Sequence, residues 1–126
     1  MEKRVLIIED SPYLAESLAD MLAIREITGI IAPNGREGIA LALAEHPDLV
    51  LLDIRLPDID GYEVYHEIRR DAWGKHANIM VLTASESVET ISKNIDLPTE
   101  YVLYKPDWSV PKLLDRIEEM IGSTSS

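Results

Sequence analysis

Residues 48–61 have the sequence D-L-V-L-L-D-I-R-L-P-D-I-D-G, in which an apolar run ends on a carboxylate and a proline and a glycine follow. An apolar run as short as residues 49–52, with turn residues after it, is typical of a strand that is buried on both faces. Asp53 would then lie at the carboxyl end of a central strand, where open α/β sheets bind their ligands. We therefore expect the rest of the fold to support this one side chain.

Four further short segments are rich in apolar and β-branched residues, and each is a predicted strand. They are residues 5–8, 27–32, 79–82 and 101–104. Five segments that alternate with these strands are predicted helices, because four of them repeat apolar residues at helical spacing and one is rich in alanine. Their positions are Leu14, Leu18, Met21 and Leu22, then residues 36–45, then Val64, Tyr65 and Ile68, then Val88, Ile91 and Ile95, and last Val110, Leu113, Leu114, Ile117 and Ile121. This alternation predicts an α/β fold, a doubly wound five-stranded parallel sheet with helices on both faces.

Polar residues predict where several of these helices begin. Asn34 follows the second strand and is a candidate cap for the second helix. Glu86 and Glu89 suit the first turn of the fourth helix, because acidic side chains are favourable at a helix amino end. Asp107 or Ser109 is the candidate cap of the fifth helix.

The length of 126 residues suits one domain and leaves no room for a second. We assign residues 1–121 to this domain and residues 122–126 to a flexible tail or the start of a linker. The apolar segment near the amino end is too short for a signal sequence, and no stretch approaches the length of a membrane span. The sequence therefore predicts a cytoplasmic protein.

The formal net charge is -11, with 23 acidic against 12 basic residues. A domain with this charge repels phosphate backbones, so we expect it to contact neither nucleic acid nor a membrane directly. The sequence contains no cysteine, which excludes a disulfide framework and a thiolate metal site.

Polar side chains follow the predicted strands at corresponding places: Glu9 and Asp10, Asp53, Thr83, and Lys105. Because the carboxyl ends of parallel strands share one edge of a sheet, we expect these residues to converge. Three carboxylates in one place repel one another unless a cation lies among them, and ligands that are all oxygen favour Mg²⁺. A lysine and a threonine hydroxyl beside them can bind phosphate oxygens. The set suits phosphoryl transfer with one carboxylate as the nucleophile.

In these segments the chain resembles the receiver domains of two-component response regulators, the superfamily that includes the chemotaxis regulators. Four fragments occur in the order and spacing of that family, and the resemblance covers nearly the whole chain. They are Glu9-Asp10, D-I-R-L-P-D-I-D-G at residues 53–61, L-T-A at residues 82–84, and Lys105-Pro106.

The resemblance implies that Asp53 accepts a phosphoryl group from a sensor histidine kinase or a phosphotransfer protein. It also implies that Asp10, Asp53 and the backbone carbonyl of Arg55 ligate Mg²⁺, with Glu9 acting through a metal-bound water. The only catalysis expected is self-phosphorylation from small donors and autodephosphorylation. The output would be a downstream protein partner or a fused domain.

For the remaining residues, the resemblance implies that Thr83 and Lys105 hold the phosphoryl oxygens and that the Lys105–Pro106 bond is cis. The implied fold is flavodoxin-like with strand order 2-1-3-4-5, which places the first and third strands side by side. A homodimer through helix four, strand five and helix five is a further possibility that the family offers.

The sequence departs from the family pattern near the fifth strand. Receivers commonly carry a switch aromatic three residues before the lysine, where this chain has Val102, and a phenylalanine where it has Asp107. Because side chains alternate along a strand, Tyr104 shares a face with Val102 and Tyr101 does not. We expect the usual switch to be missing and any substitute to be Tyr104. A Tyr104 ring that keeps one rotamer in crystals with and without beryllofluoride would exclude the substitute.

Arg55, two residues after the acceptor, is expected to project over the site and to affect the lifetime of the phosphoryl group. It also bears on a rival interpretation. Phosphatases of the haloacid-dehalogenase type use an aspartate nucleophile with Mg²⁺, a threonine and a lysine, but they carry a second aspartate where this chain has Arg55. A third interpretation is a degenerate receiver that binds a partner without phosphorylation.

Overall fold

The computed structural model describes residues 2–122. The sheet has five parallel strands, which we number along the chain. They are Lys3–Ile8 (β1), Ile27–Ala32 (β2), Leu49–Asp53 (β3), Ile79–Thr83 (β4) and Val102–Tyr104 (β5). Their spatial order is β2-β1-β3-β4-β5, so the predicted doubly wound, flavodoxin-like fold is confirmed.

Five α-helices alternate with the strands, as the apolar spacing predicts. They are Pro12–Ile24 (α1), Gly35–Glu45 (α2), Gly61–Arg70 (α3), Val88–Ile95 (α4) and Val110–Ile121 (α5). Three short 3₁₀ turns, at Gly74–His76, Thr99–Tyr101 and Lys105–Asp107, connect these elements and were not predicted. Within the described residues, no helix is both long enough and apolar enough to cross a membrane.

Two apolar clusters hold the helices against the sheet. Neighbouring residues of a strand point to opposite faces, so each strand contributes to both clusters. One cluster contains Leu6, Ile8, Val50 and Leu52 with residues of α2, α3 and α4. The other contains Val5, Ile7, Leu49 and Leu51 with residues of α1 and α5. The central strands are therefore buried on both faces, and their polar ends are fixed in position.

The amino end of α2 has two sets of acceptors. Asn34 caps the helix as predicted, with its side chain accepting from the Glu37 N–H at 2.9 Å. The Asp58 carboxylate, from the loop after β3, accepts from the N–H groups of Gly35 at 2.8 Å and Arg36 at 2.9 Å. These bonds satisfy donors that a helix leaves free at its start, and they attach the β3–α3 loop to α2.

The start of α4 differs from the prediction. Ser87 caps this helix by accepting from the Thr90 N–H, so Glu89 lies in the first turn as expected but Glu86 lies outside the helix. The prediction for Glu86 is wrong because the serine next to it takes the capping position. At α5, Ser109 is the cap, while Asp107 belongs to the preceding 3₁₀ turn.

The prediction of a cis Lys105–Pro106 bond is also wrong: residues 2–122 contain no cis peptide bond. Pro106 is the second residue of the Lys105–Asp107 turn, which the Trp108 N–H closes by donating to the Lys105 carbonyl at 3.0 Å. The fixed φ of proline suits an early position in such a turn. The trans isomer, which is ordinarily preferred before proline, therefore fits the chain here.

The carboxyl end of α5 lies at the boundary of the predicted tail. Gly122 has a φ of 79°, and its N–H donates to the Glu118 carbonyl at 2.7 Å. A positive φ favours glycine at such a helix end. The rest of the predicted tail, residues 123–126, lies outside the described residues.

Candidate functional site

Three carboxylates meet at the carboxyl edge of the sheet. Strand β1 pairs with β3 so that Ile8 lies opposite Leu52, and this register brings Glu9 and Asp10 beside Asp53. One oxygen from each of the three side chains lies within 4.8 Å of the others. Glu9 and Asp53 are almost fully buried, at 3% and 5% exposed, whereas Asp10 is open to solvent. The expected convergence of these residues is therefore present.

Lys105 joins the carboxylates from the end of β5. Its Nζ donates to Glu9 Oε1 at 2.8 Å and to Asp53 Oδ2 at 3.0 Å. Burial alone would lower the pKa of Lys105, but the bonds to Glu9 and Asp53 and the charges of these groups leave that pKa raised. The ammonium therefore stays charged at neutral pH and is hydrogen-bonded to the predicted acceptor, Asp53.

The neighbouring carboxylate of Glu9 changes the pKa of Asp10. Its pKa is raised, first through a hydrogen bond with Glu9, then through partial desolvation and the negative charge of Glu9. Both desolvation and a neighbouring negative charge disfavour an ionised carboxylate. The positive charge of Lys105 lowers this pKa but does not cancel the increase.

The donor set fits a divalent cation. Three carboxylates against the Lys105 ammonium leave a formal charge of 1 − 3 = −2 when all three are ionised. All of the donors are oxygens, which Mg²⁺ prefers to nitrogen and sulfur. The Arg55 N–H donates to Asp53 Oδ1 at 3.1 Å, so the Arg55 peptide lies beside the acceptor. Ligation by the Arg55 carbonyl stays a prediction.

The Arg55 side chain extends from the β3–α3 loop to the β4–α4 loop. Its Nε donates to Ser85 Oγ at 3.2 Å, and both residues are exposed. Asp53 ends β3, and Ser85 lies two residues beyond the end of the neighbouring strand β4. The Arg55 side chain therefore connects the loop that follows Asp53 to the loop that follows β4.

Thr83 is fully buried at the end of β4, and its hydroxyl is bonded to the following loop. The hydroxyl donates to the Glu86 carbonyl at 3.0 Å and accepts from the N–H groups of Ser85 at 3.3 Å and Glu86 at 3.1 Å. In this arrangement its one proton is used within the loop. A role for Thr83 at a phosphoryl group stays a prediction.

A second group of residues near the site was not predicted. The Tyr62 hydroxyl, in the first turn of α3, donates to Glu86 Oε2 at 2.7 Å and accepts from Asn94 Nδ2 at 3.2 Å. Burial raises the pKa of Tyr62, and the Glu86 carboxylate adds to this effect. Glu86 follows Tyr62 by 24 positions, so no local pattern in the sequence indicates the contact.

Val102 and Tyr104 differ in burial. Val102 is 2% exposed within the cluster beneath α4, whereas Tyr104 is 37% exposed. Tyr104 lines a cavity of about 390 Å³ together with the loop residues 85–87. Tyr101 lies in the 3₁₀ turn before β5, and it packs against the same cluster as Val102, contrary to the strand alternation expected for it. A switch role for Tyr104 stays a prediction.

Comparison with known proteins gives a family for this architecture. A family model described as the response regulator receiver domain matches residues 5–118. The response regulator MprA of Mycolicibacterium vanbaalenii is 32% identical over 125 residues, a match that covers 99% of this chain and 53% of that protein. The chain thus spans about half the length of this curated relative.

Two solved receiver domains show how closely the folds agree. The non-phosphorylated HemR receiver domain of Leptospira biflexa has a TM-score of 0.84 and 28% identity, over 98% of this chain and 97% of that one. The receiver domain of a sensor histidine kinase of Pseudomonas aeruginosa has a TM-score of 0.81 and 26% identity, over 98% and 100% of the two chains. A magnesium ion is coordinated in the active site cleft of that second structure.

Proposed function

The chain belongs to the response regulator receiver family of two-component systems, and on that premise we propose that Asp53 accepts a phosphoryl group in a Mg²⁺-dependent reaction. The observation that carries the proposal is the position of the Asp53 carboxylate. It is buried, it lies with the oxygens of Glu9 and Asp10, and its Oδ2 is 3.0 Å from Lys105 Nζ. A carboxylate in this setting is held in place for attack on phosphorus.

The transfer forms a bond between one Asp53 carboxylate oxygen and phosphorus and breaks the bond between phosphorus and the donor atom. The donor would be the phosphohistidine of a sensor kinase or a phosphotransfer protein, or a small acyl phosphate. Lys105 already donates to Asp53 Oδ2, and its raised pKa keeps a proton available for a phosphoryl oxygen. Thr83 would donate to a second phosphoryl oxygen once the hydrogen bond from its hydroxyl to the Glu86 carbonyl has broken.

Asp10, Asp53 and the Arg55 carbonyl would hold Mg²⁺, with Glu9 acting through a bound water. When bound, the ion would neutralise charge on the carboxylates and on the transferring group. The formal charge of the site and its all-oxygen donors support this assignment.

Phosphorylation of Asp53 would then switch an output. The curated relative MprA is about twice as long as this chain, so a fused output domain or a separate protein partner would receive the signal. Residues 1–121 would act as the receiver, and a homodimer through α4, β5 and α5 is one form that the output could take.

The test is incubation with acetyl phosphate and Mg²⁺, followed by measurement of the intact mass. We expect one added phosphate in the wild type and none in Asp53→Asn or in the presence of a chelator. Asp107→Asn is the matched control, because Asp107 is an exposed acid on the neighbouring turn and should leave the adduct unchanged. A wild type without an adduct would instead support a degenerate receiver, and multiple turnover of a phosphate ester would support a phosphatase.

A further inference from the structure

Glu86 connects the Thr83 hydroxyl to helix α3. Its backbone N–H and carbonyl both bond to the Thr83 hydroxyl, at 3.1 and 3.0 Å, and its carboxylate accepts from the Tyr62 hydroxyl at 2.7 Å. One residue therefore links a hydroxyl beside the acceptor to a tyrosine on a different element. Within residues 2–122, no other side chain donates a hydrogen bond to the Glu86 carboxylate.

Tyr62 lies next to a close contact between the start of α3 and the loop after β3. It follows Gly61, whose N–H donates at 3.1 Å to the carbonyl of Ile54, the residue directly after Asp53. A β-carbon at Gly61 would lie 2.6 Å from the Ile54 backbone, so only glycine permits this close approach. The Tyr62 hydroxyl is also fixed by Asn94 of α4 at 3.2 Å. These contacts restrict the position of the Tyr62 hydroxyl that donates to the Glu86 carboxylate.

The Thr83 proton cannot serve two acceptors at once. A threonine hydroxyl has one O–H donor, and here that donor is used on the Glu86 carbonyl. For Thr83 to donate to a phosphoryl group on Asp53, this bond must break, through rotation of the Thr83 side chain or a shift of Glu86. Any contact that fixes Glu86 opposes that shift.

We propose that the Tyr62–Glu86 hydrogen bond is a latch that keeps the Thr83 hydroxyl bonded to the loop. The latch thereby disfavours the conformation in which Thr83 binds a phosphoryl group, and it lowers the affinity of the site for a mimic of that group. This inference rests on the proposed function of Asp53. The latch connects the β4–α4 loop to α3 and not to β5. On β5, the position of the usual switch aromatic is occupied by Val102, which has neither a hydroxyl nor a ring. Tyr62 is thus a positioning residue that acts through Glu86 and Thr83.

The first experiment measures the affinity of the Mg²⁺-loaded protein for beryllofluoride, a mimic of the phosphoryl group, by calorimetry. Tyr62→Phe removes only the hydroxyl, and we expect it to bind beryllofluoride roughly fivefold more tightly, because one hydrogen bond to a partly exposed carboxylate is lost from the unliganded state. Glu86→Ala should have a similar effect. Tyr65→Phe is the matched control: it lies on the same helix, and its hydroxyl contacts Arg69 and not the loop.

A double variant separates a latch from a general loss of structure. If Tyr62 and Glu86 act through one contact, Tyr62→Phe with Glu86→Ala should bind no more tightly than either single variant. Additive gains in affinity, or a Tyr62→Phe affinity at or below that of the wild type, would overturn the latch. If the wild type itself fails to bind beryllofluoride, the proposed function fails, which is a distinct result.

The link to Thr83 is tested by hydrogen exchange in the unliganded protein. The N–H groups of Ser85 and Glu86 donate to the Thr83 hydroxyl, so their exchange reports on this turn. We expect both amides to exchange several-fold faster in Tyr62→Phe, while the amides of β3 keep their wild-type rates. Unchanged exchange at Ser85 and Glu86 would overturn the claim that Tyr62 acts through Thr83.

Discussion

Asp10 differs from the other two carboxylates of the site because it is open to solvent and its pKa is raised by Glu9. The folded pKa lies above the unfolded value of about 3.9. Between these two values the folded state binds more protons than the unfolded state. The free energy of unfolding therefore falls as the pH rises through this interval, and the loss persists at neutral pH.

Replacement of Asp10 by asparagine should consequently stabilise the metal-free protein at neutral pH, because asparagine cannot ionise. Mg²⁺ should raise the unfolding temperature of the wild type more than that of Asp10→Asn. Thermal unfolding with a chelator and with Mg²⁺ measures both effects, and Asp20→Asn, an exposed acid on α1, is the control. An Asp10→Asn variant that is less stable than the wild type without Mg²⁺ contradicts this explanation.

Arg55 bridges the two loops beside the acceptor through its bond to Ser85. We expect Arg55→Ala to shorten the lifetime of the phosphorylated protein, because water reaches the phosphoryl group more easily and a nearby positive charge is lost. The change should stay within roughly fivefold, since an exposed charge contributes at most about 1 kcal/mol. Loss of the phosphate adduct over time, followed by mass spectrometry, gives the rate.

Ser85→Ala is the matched variant for this measurement, because it removes the contact but keeps the guanidinium. A lifetime shortened equally in both variants would assign the effect to the position of Arg55. An unchanged lifetime in Arg55→Ala would exclude any role for this side chain.

At the scale of elements, the start of α3 sets the distance between the acceptor loop and the helix. Gly61→Ala would bring a β-carbon to 2.6 Å from the Ile54 backbone, which cannot move aside as a flexible side chain can. We expect a loss of about 2 kcal/mol in the free energy of unfolding, the usual cost of overpacking. Denaturant unfolding measures it.

His66→Ala on the same helix is the control, because His66 is exposed and its replacement should leave the stability nearly unchanged. If Gly61→Ala is as stable as this control, the close packing of α3 on Ile54 is not a constraint. Slower phosphorylation of Gly61→Ala at equal stability would still show that the loop position affects Asp53.

The sequence predicts elements well where apolar residues repeat with a clear period. All five strands and five helices appear, because buried runs such as residues 49–52 and the stripe of α5 have few alternative structures. The convergence of Asp10, Asp53 and Lys105 was predictable too, since parallel strands end at one edge. Contacts between distant loops, such as Tyr62 with Glu86, leave no periodic signal and were missed.

Errors at the ends of elements have local causes. The sequence allowed Glu86 to begin α4, but Ser87 competes for the same backbone donors and takes the capping position. The cis prediction at Pro106 came from the family resemblance, whereas the 3₁₀ turn that accommodates the trans bond is a property of this chain. Tyr101 likewise belongs to a 3₁₀ turn and not to β5.

For the molecule as a whole, the net charge of -11 means that acidic side chains repel one another in the folded state. We expect the unfolding temperature to rise when sodium chloride increases from about 0.02 M to about 0.5 M, because salt screens exposed charges. Salt also screens the attraction within surface ion pairs such as Arg25 with Asp115, and this effect opposes the gain. Chloride is preferable to sulfate, which strengthens apolar burial by a separate effect.

A decrease in the unfolding temperature over the same range of salt would show that surface ion pairs outweigh the repulsion. Mg²⁺ should act differently from sodium chloride, because it should stabilise the protein at concentrations too low to screen charge. That additional stabilisation should be smaller in Asp10→Asn.

The central claim is that one carboxylate of the whole chain, that of Asp53, becomes phosphorylated. Borohydride reduces an aspartyl phosphate to homoserine, which marks the modified position permanently. After treatment with acetyl phosphate and Mg²⁺, reduction and peptide sequencing should find homoserine at position 53 and at no other aspartate. Homoserine at Asp10 or at another aspartate, or none in a sample that carries the phosphate adduct, would contradict the assignment of Asp53 as the acceptor.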